Sequence, residues 1–421
     1  MYNHKNKKIG YILKIAIVGA GAAGIIAAIT AKRLDKNIDI DLFDINNAIG
    51  KKILASGNGR CNISNTDVTE ANFIGENPNF VSHAIKEFDF KAFEKFCKSI
   101  GLLLDIKETN KVYPLSNEAK SVVTLLENTI NSLGINLILE TKVIDIKKEN
   151  NKFIVVSEGK EFKDYDKVLI SSGLQAAPQL NATEDGMTIA EKLGHSSNLT
   201  YPSLVGLHTD FEHNNRIQGV KKESLVTLYI DGQKENEILG DVLFTKYGVS
   251  GFAILDISQY AVYPLSLYQD VQISINLFPT KNRNEVLGMI ESLFKTLPNE
   301  KALALLTGII SNKLAPILLD VCKIDKEIKA KDINAKQIRG IVNILINWRF
   351  KITDTQGFKH AEASGGGVRT DEVDSNTFES KKCKGLFLAG EVLDVVGNRG
   401  GYNLQFAWAS GFLAGKSLSK K

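Results

Sequence analysis

The stretch KIAIVGAGAAGIIAAITAKRL, residues 14–34, decides how this chain folds. Lys14 to Val18 is short and almost wholly apolar, which predicts a buried strand, and the residues after Ala22 predict a helix to about residue 34. A second strand over 38–44 completes a βαβ unit. Between the first strand and the helix stands Gly19-Ala20-Gly21-Ala22-Ala23-Gly24, a GxGxxG. Gly19 makes the tight turn, Gly21 lets the backbone approach a pyrophosphate, and Gly24 permits close helix–strand packing, with Ala22 and Ala23 between them. The helix start offers free N–H groups and the positive end of its dipole to phosphate. The second strand ends at Asp44, twenty residues after Gly24, where a carboxylate can accept hydrogen bonds from ribose hydroxyls. Motif, context and acid together predict a bound dinucleotide.

Residues 9–31 are apolar enough to suggest a signal peptide or a membrane span. Lys14 within the run, three glycines where a spanning helix needs good helix formers, and no second apolar run favour a buried strand joined to a buried helix. Across 421 residues, 43% hydrophobic and 24% charged side chains describe a globular chain, excluding a disordered protein, a multi-span membrane protein and a small secreted scaffold. Cysteines at 61, 97, 322 and 383 have no short regular spacing, so neither a disulfide framework nor a CxxC pair is built from neighbours, and a cytoplasmic location is expected. A net charge of +4 names no polyanionic partner. The six histidines form no HExxH or similar pattern, so no metal is expected, and no GxSxG marks a nucleophile.

Outward from the βαβ unit, the polar start MYNHKNKKIG is expected to fray. Helical spacing covers 80–100 and 118–132, and strands near 136–146, 152–157 and 167–171 suggest a β-meander capping the sheet. Residues 203–275 alternate in the manner of an antiparallel sheet or small barrel, and 281–350 are helical. Residues 281–351 hold 13 Lys/Arg against 7 Asp/Glu, scattered in no dense block, which reads as a solvated helix surface, and nucleic acid is not expected as a partner. Glycine then returns. ASGGGV (363–368), a strand GLFLAGE (385–391), a loop at 397–401 and a last helix from Leu404 to Leu418 can complete the first sheet, with Ala407, Gly411 and Gly415 as a small-residue face packing on it.

The expected fold class is α/β, a discontinuous Rossmann-like dinucleotide domain (1–200 plus 356–421) interrupted by a β-rich small barrel (201–280 with about 345–355) and a helical domain (281–344). Only one GxGxxG is present, and no redox cysteine pair, so the two-nucleotide plan of a disulfide reductase is excluded. A single-fold flavoprotein needs a late segment returning to the flavin, and Leu388-Ala389-Gly390-Glu391-Val392-Leu393-Asp394 has that form, so FAD is favoured over NAD as the resident cofactor.

Lys51-Lys52-Ile53-Leu54-Ala55-Ser56-Gly57-Asn58-Gly59-Arg60-Cys61-Asn62 resembles the GRKILISGGGRCN signature of the bacterial YhiN/BaiN-type flavoproteins, a family of FAD-dependent oxidoreductases. Gly240 to Gly251 (GDVLFTKYGVSG) resembles that family's GELLFTHYGLSGP, and Gly390 to Asp394 with Gly400 to Gln405 resembles its GEVLD and GGYNLQ. The resemblance runs from about 14 to 418. It implies an FAD domain with two inserted domains, and places Lys52, Arg60, Cys61 and Asn62 near the cofactor. Lys52 and Arg60 can neutralise pyrophosphate or negative charge on a reduced flavin; Cys61 reads as loop packing or a reactive thiol. Ser56 and Gly57 in the signature, Val143 on a following strand and the turn at Gly173 complete the candidate contacts with Gly390 and Glu391. The helix begun by Gly401, Tyr402, Asn403 and Leu404 can direct its dipole at the flavin ring.

Where the family carries ATGG before a substrate-side loop, this chain has Ser171-Ser172-Gly173-Leu174 and then QAAPQLNATEDG, so substrate specificity is not carried over. The expected activity is transfer of hydride or electrons between a small organic substrate and FAD, with NAD(P)H as a donor and the inserted domains shaping a substrate cleft. The resemblance implies enone reduction, as in the bile-acid reductases, or oxidation of an aminoketone by oxygen. An RNA-binding or tRNA-modifying flavoprotein and a non-catalytic flavin sensor are the rivals. No catalytic acid or base stands out.

Overall fold

In the computed structural model the described residues are 11–420, and the MYNHKNKKIG start lies outside them. The central sheet is parallel, with strands in the spatial order Leu386–Leu388, Lys167–Ile170, Lys14–Val18, Asp39–Phe43, Asn136–Ile138. The first strand therefore sits at the centre, buried on both faces, which is why it reads as a continuous apolar run. Its helix, Ala22–Leu34, buries every residue from Ala22 to Ala31. No helix among the described residues is long and apolar enough to cross a membrane.

The chain forms two compact units, one made of the residues up to Thr200 with those from Ala363 onward, the other of Tyr201–Glu362. In the first unit the span 136–146 is not one strand. It breaks at Glu140, a non-glycine residue at φ 51°, and gives Asn136–Ile138 to the parallel sheet and Val143–Glu149 to a three-stranded meander with Lys152–Ser157 and Lys160–Tyr165. Likewise 80–100 is two helices, Ser82–Glu87 and Phe90–Ser99, the second capped by the Asp89 carboxylate on the Ala92 N–H at 2.8 Å.

The closing helix, Tyr402–Leu418, corrects one expectation. Its small face meets the opening helix and not the sheet: a Cβ on Gly411 would lie 2.2 Å from the Ala23 carbonyl oxygen, and one on Gly415 2.6 Å from that of Ala27. Only glycine allows two helices to approach so closely.

The second unit holds a closed antiparallel barrel of six strands, in the order Leu207–Thr209, Gly248–Ser250, Gln233–Thr245, Lys221–Ile230, Val271–Asn276, Trp348–Thr355. The helix Phe252–Ser266 is unexpected within this run. Between the last two barrel strands come the helices Arg283–Thr296, Ala302–Thr307, Leu314–Val321 and Ala335–Ile346.

Candidate functional site

The GxGxxG glycines differ in what they must leave out. Gly19 stands at φ +103°, and a Cβ there would fall 2.6 Å from the Ser171 carbonyl oxygen. A Cβ on Gly24 would fall 1.9 Å from the Gly19 oxygen and 2.6 Å from Ser171 Oγ, so Gly24 packs the helix against the turn and the neighbouring strand end. Gly21 is the reverse: a Cβ would meet nothing within 4 Å. It is the N-cap of Ala22–Leu34, which has no side-chain cap and no acid in its first turn. An uncapped helix start of this kind has N–H groups free to receive an anion.

Asp44 follows the second strand and accepts the Ala20 N–H at 2.8 Å and the Asn46 N–H at 2.8 Å. Asn46 Nδ2 also donates to Asp44 Oδ1 at 3.0 Å; a carboxylate has about four acceptor positions, so room remains for one hydroxyl donor. Beyond it lies a cavity of about 390 Å³ lined mainly by polar side chains, including Asn46, Asn47, Lys51, Glu140, Gln179 and Asn181. The loop that departs from the family pattern walls this cavity, tied by Asn181 Nδ2 donating to Asn46 Oδ1 at 2.9 Å. Glu140 and Thr141 donate their N–H groups to the carbonyls of Asn46 and Asp44, which sets Val143, the buried start of the next strand, just beyond this end of the sheet.

Four distant segments meet at Lys52. Its Nζ lies 2.5 Å from Glu391 Oε2, while Glu391 Oε1 accepts the Ser364 N–H at 2.9 Å. Gly173, at φ +74°, closes over this pair, since a Cβ there would come 3.1 Å from Glu391 Oε2. The charge of Lys52 is thus offset within the protein. Gly390, at φ +76°, sits against the first turn of the opening helix, its Cβ position 3.0 Å from Ala23 Cβ, and donates its N–H to Ser410 Oγ at 3.0 Å. The early and late glycine segments therefore converge on one helix start.

The SGNGRCN loop takes its shape from a run of left-handed residues, Gly57, Asn58, Gly59 and Cys61. Ser56 Oγ donates to the Ile53 carbonyl and the Cys61 N–H to the Ser56 carbonyl, which close the loop. Arg60 is exposed over the Tyr113 ring, 5.6 Å from its centroid. Cys61 is fully buried, and burial pushes its thiol up to about 11, so it is a neutral packing group at physiological pH. Asn62 Oδ1 is buried with no partner, facing Gly401: a Cβ on Gly401 would come within 3.0 Å of it. An orphaned acceptor beside a helix start suits a donor on a bound group. Gly401 caps Tyr402–Leu418 at φ +99° with no side-chain cap. Asn403 spends both ends of its amide on the Gly397 backbone, at 2.7 and 2.8 Å, and Tyr402 meets Phe73 edge-on, so both build the loop. Leu404 is half-buried behind them.

Sequence reasoning missed Ser364, Ser171 and Gln405. Gln405, wholly buried, accepts from Ser64 Oγ at 2.7 Å and donates to the Phe88 carbonyl at 2.8 Å, fixing the closing helix to the residues just after the signature and to the end of the helix Ser82–Glu87. Elsewhere Ser380, His195 and Glu372 stand in the order of a hydrolytic triad, with His195 Nε2 2.6 Å from Ser380 Oγ. Ser380 Oγ also accepts the N–H groups of Lys382 and Cys383 and is buried, so this cluster ties a turn. Among the described residues no group of three His, Cys, Asp or Glu side chains is placed to hold a metal ion.

The open helix start, the free capacity of Asp44 and the orphaned Asn62 acceptor fit a dinucleotide laid from Asp44 across Gly21 toward Gly401. A family model described as "HI0933-like protein Rossmann domain" matches residues 13–417. The 3-dehydro-bile acid delta(4,6)-reductase of Clostridium scindens is 32% identical over 97% of this chain and 99% of its own length. The ribosomal RNA dihydrouridine synthases of Haemophilus influenzae and Escherichia coli are each 29% identical, over 96% of this chain and 98% and 97% of theirs.

Proposed function

The chain belongs to the HI0933-like Rossmann family and is an oxidoreductase of the flavoprotein class, and on that premise we propose that its flavin is FAD and that it reduces a carbon–carbon double bond conjugated to a carbonyl, with NAD(P)H as donor. The observation that carries the FAD assignment is the convergence at the opening helix: the cap-free start at Gly21, the late Gly390 packed on Ala23, and Asp44 with the polar cavity beyond it for an adenosine. FMN has no adenosine half to use that end of the site.

The bound flavin supplies hydride chemistry at its ring. This chain's residues bind and orient it. The helix start at Gly21 holds the pyrophosphate, Asp44 the ribose, and Arg60 brings a cation whose charge no acid within the loop offsets. Asn62 Oδ1 and the uncapped start of Tyr402–Leu418 line the opposite end, where a helix dipole stabilises negative charge. The Lys52–Glu391 pair holds the Gly173 and Ser364 segments around the site.

The reaction class comes from the relatives' names. A delta(4,6) 3-oxo steroid and a uracil both present a C=C conjugated to C=O, and one flavin reaction, hydride to the β carbon and a proton to the α carbon, serves both. The test is to purify the protein, identify the released cofactor, and mix the holoenzyme anaerobically with NADH or NADPH. A yellow protein that releases FAD, bleaches with the donor and reoxidises slowly in oxygen supports the reading. A colourless protein, or fast reoxidation by oxygen with an aminoketone as the reductant, overturns it.

A further inference from the structure

The loop 174–184, which departs from the family pattern, is anchored at both ends. Ala176, wholly buried, donates its N–H to Ser364 Oγ at 2.9 Å, and just past the far end Lys142 Nζ lies 3.2 Å from Asp185 Oδ2. Between these anchors the short turn Pro178–Leu180 is flanked by Ala177 at φ +64° and Asn181 at φ +61°. Asparagine tolerates this left-handed conformation and alanine does so at a cost, so the turn takes its shape from its partners. Asn46 is one of them. Asn181 Nδ2 donates to Asn46 Oδ1 at 2.9 Å, and Asn46 Nδ2 reaches the Leu180 carbonyl at 3.4 Å.

The direction of these bonds is forced. Asp44 Oδ1 and the Leu180 carbonyl can only accept, and both face Asn46 Nδ2, the first at 3.0 Å. Asn46 Oδ1 is therefore turned toward Asn181 and must receive a donor, which the Asn181 amide supplies. The Asn46 backbone N–H also donates to Asp44 Oδ1, at 2.8 Å, and the Ala20 N–H of the glycine turn donates to Oδ2, at 2.8 Å. Both acceptor positions of Oδ1 are thus filled, and the one left open is on Oδ2.

We propose that Asn181 is a positioning residue for the adenosine end of the cofactor. Through Asn46 it fixes the Asp44 carboxylate so that Oδ2 is the oxygen offered to a ribose hydroxyl, and it holds the 178–181 turn as the outer wall of the adenine site. This rests on the FAD reading above. The cavity that the turn walls, about 390 Å³, is of small-ligand size, and Asn47 and Gln179 bring to its lining carboxamides that both donate and accept, as the edge of an adenine does. A loop whose family counterpart lies on the substrate side therefore serves the cofactor in this chain.

The test follows FAD release from the holoprotein, by the rise of flavin fluorescence on dilution, in the wild type, Asn181→Gly, Asn181→Asp, Asn46→Ala and the double variant Asn46→Ala/Asn181→Gly. Glycine keeps the left-handed turn without strain and removes the carboxamide. Aspartate keeps the shape but turns an acceptor toward Asn46 Oδ1, which drives the Asn46 amide away from Asp44. Release is expected to quicken about fivefold in Asn181→Gly, the worth of one neutral hydrogen bond. It should quicken further in Asn181→Asp, even at salt that screens the added charge, and Asn181→Gly should add nothing to Asn46→Ala, where the relay is already cut. ADP titrated into the flavin-stripped full chain should bind more weakly to Asn181→Gly by the same factor, with FMN binding unchanged. Asn181→Asp behaving as wild type, losses that add in the double variant, or an unchanged ADP affinity overturns the proposal. FAD released at one rate by all the variants sinks the Asn181 relay alone, whereas a wild type that yields no FAD on denaturation sinks the FAD reading itself.

Discussion

Lys52 and Glu391 lie 339 residues apart in sequence and 2.5 Å apart in space. The lysine is about one-third exposed, so solvent screening keeps the pair's own coupling to about 1 kcal/mol or less. The greater effect is positional. Glu391→Gln keeps an acceptor for the Ser364 N–H, whereas Glu391→Ala leaves that N–H bare and costs about 1 kcal/mol more. Thermal melts should rank wild type above Glu391→Gln above Glu391→Ala, with flavin dissociation quickening in the same order.

The second and third glycines of the motif should separate binding from folding. At Gly21 the backbone is ordinary and a Cβ meets nothing, so Gly21→Val should fold with an unchanged far-ultraviolet spectrum yet purify colourless, its side chain standing where pyrophosphate belongs. At Gly24 a Cβ strikes backbone oxygen, so Gly24→Ala should lose about 3 kcal/mol or more and melt several degrees lower whether or not flavin is bound. Equal melting losses in the two variants would count against this division.

Cys61 is a neutral thiol by virtue of burial, its value pushed up to about 11. Alkylation of the native protein at pH 8 should leave Cys61 unmodified until the protein is unfolded, as mapped by peptide mass spectrometry, and Cys61→Ala should retain flavin reduction by the donor. Loss of reduction in a normally folded, yellow Cys61→Ala protein would assign the thiol a chemical role.

His195 is held below its usual range by burial, which outweighs the opposing pull of Glu372. A depressed folded-state value means that the unfolded chain binds the proton first as pH falls. Its share of stability is therefore present above about pH 6.5 and is lost progressively below it. Melting temperature should fall as pH drops from 6.5 toward 5, and His195→Asn, which stays neutral, should flatten that dependence.

What could be read from sequence was what short-range geometry demands. The strand, glycine turn and helix at 14–34 are legible because the motif is local, with Gly24 answering to the Gly19 oxygen, and the closing helix because its apolar and small residues run on, nearly all buried, to Leu418. The partner of Lys52 was not, since nothing local to KKILASG marks a carboxylate that arrives at 391. Nor does sequence show that the Asn403 amide is held at both ends by the Gly397 backbone. The strand Lys160–Tyr165 was hidden by its exposure: KEFKDY buries only its tyrosine. The helix Phe252–Ser266 was hidden by the opposite cause, being apolar, rich in aromatic and branched residues and carrying Pro264, a composition that suits a barrel strand equally well.

The most direct measurement is a single turnover. Holoenzyme reduced anaerobically by one equivalent of NADPH or NADH is mixed with a substrate bearing a C=C conjugated to a carbonyl, presented as a 3-oxo-Δ4 steroid in one syringe and as a uridine-containing RNA in another. The account predicts return of the oxidised flavin band with at least one of them, together with one equivalent of product saturated at that bond. A reduced flavin that neither substrate reoxidises, while oxygen does so rapidly, would contradict it.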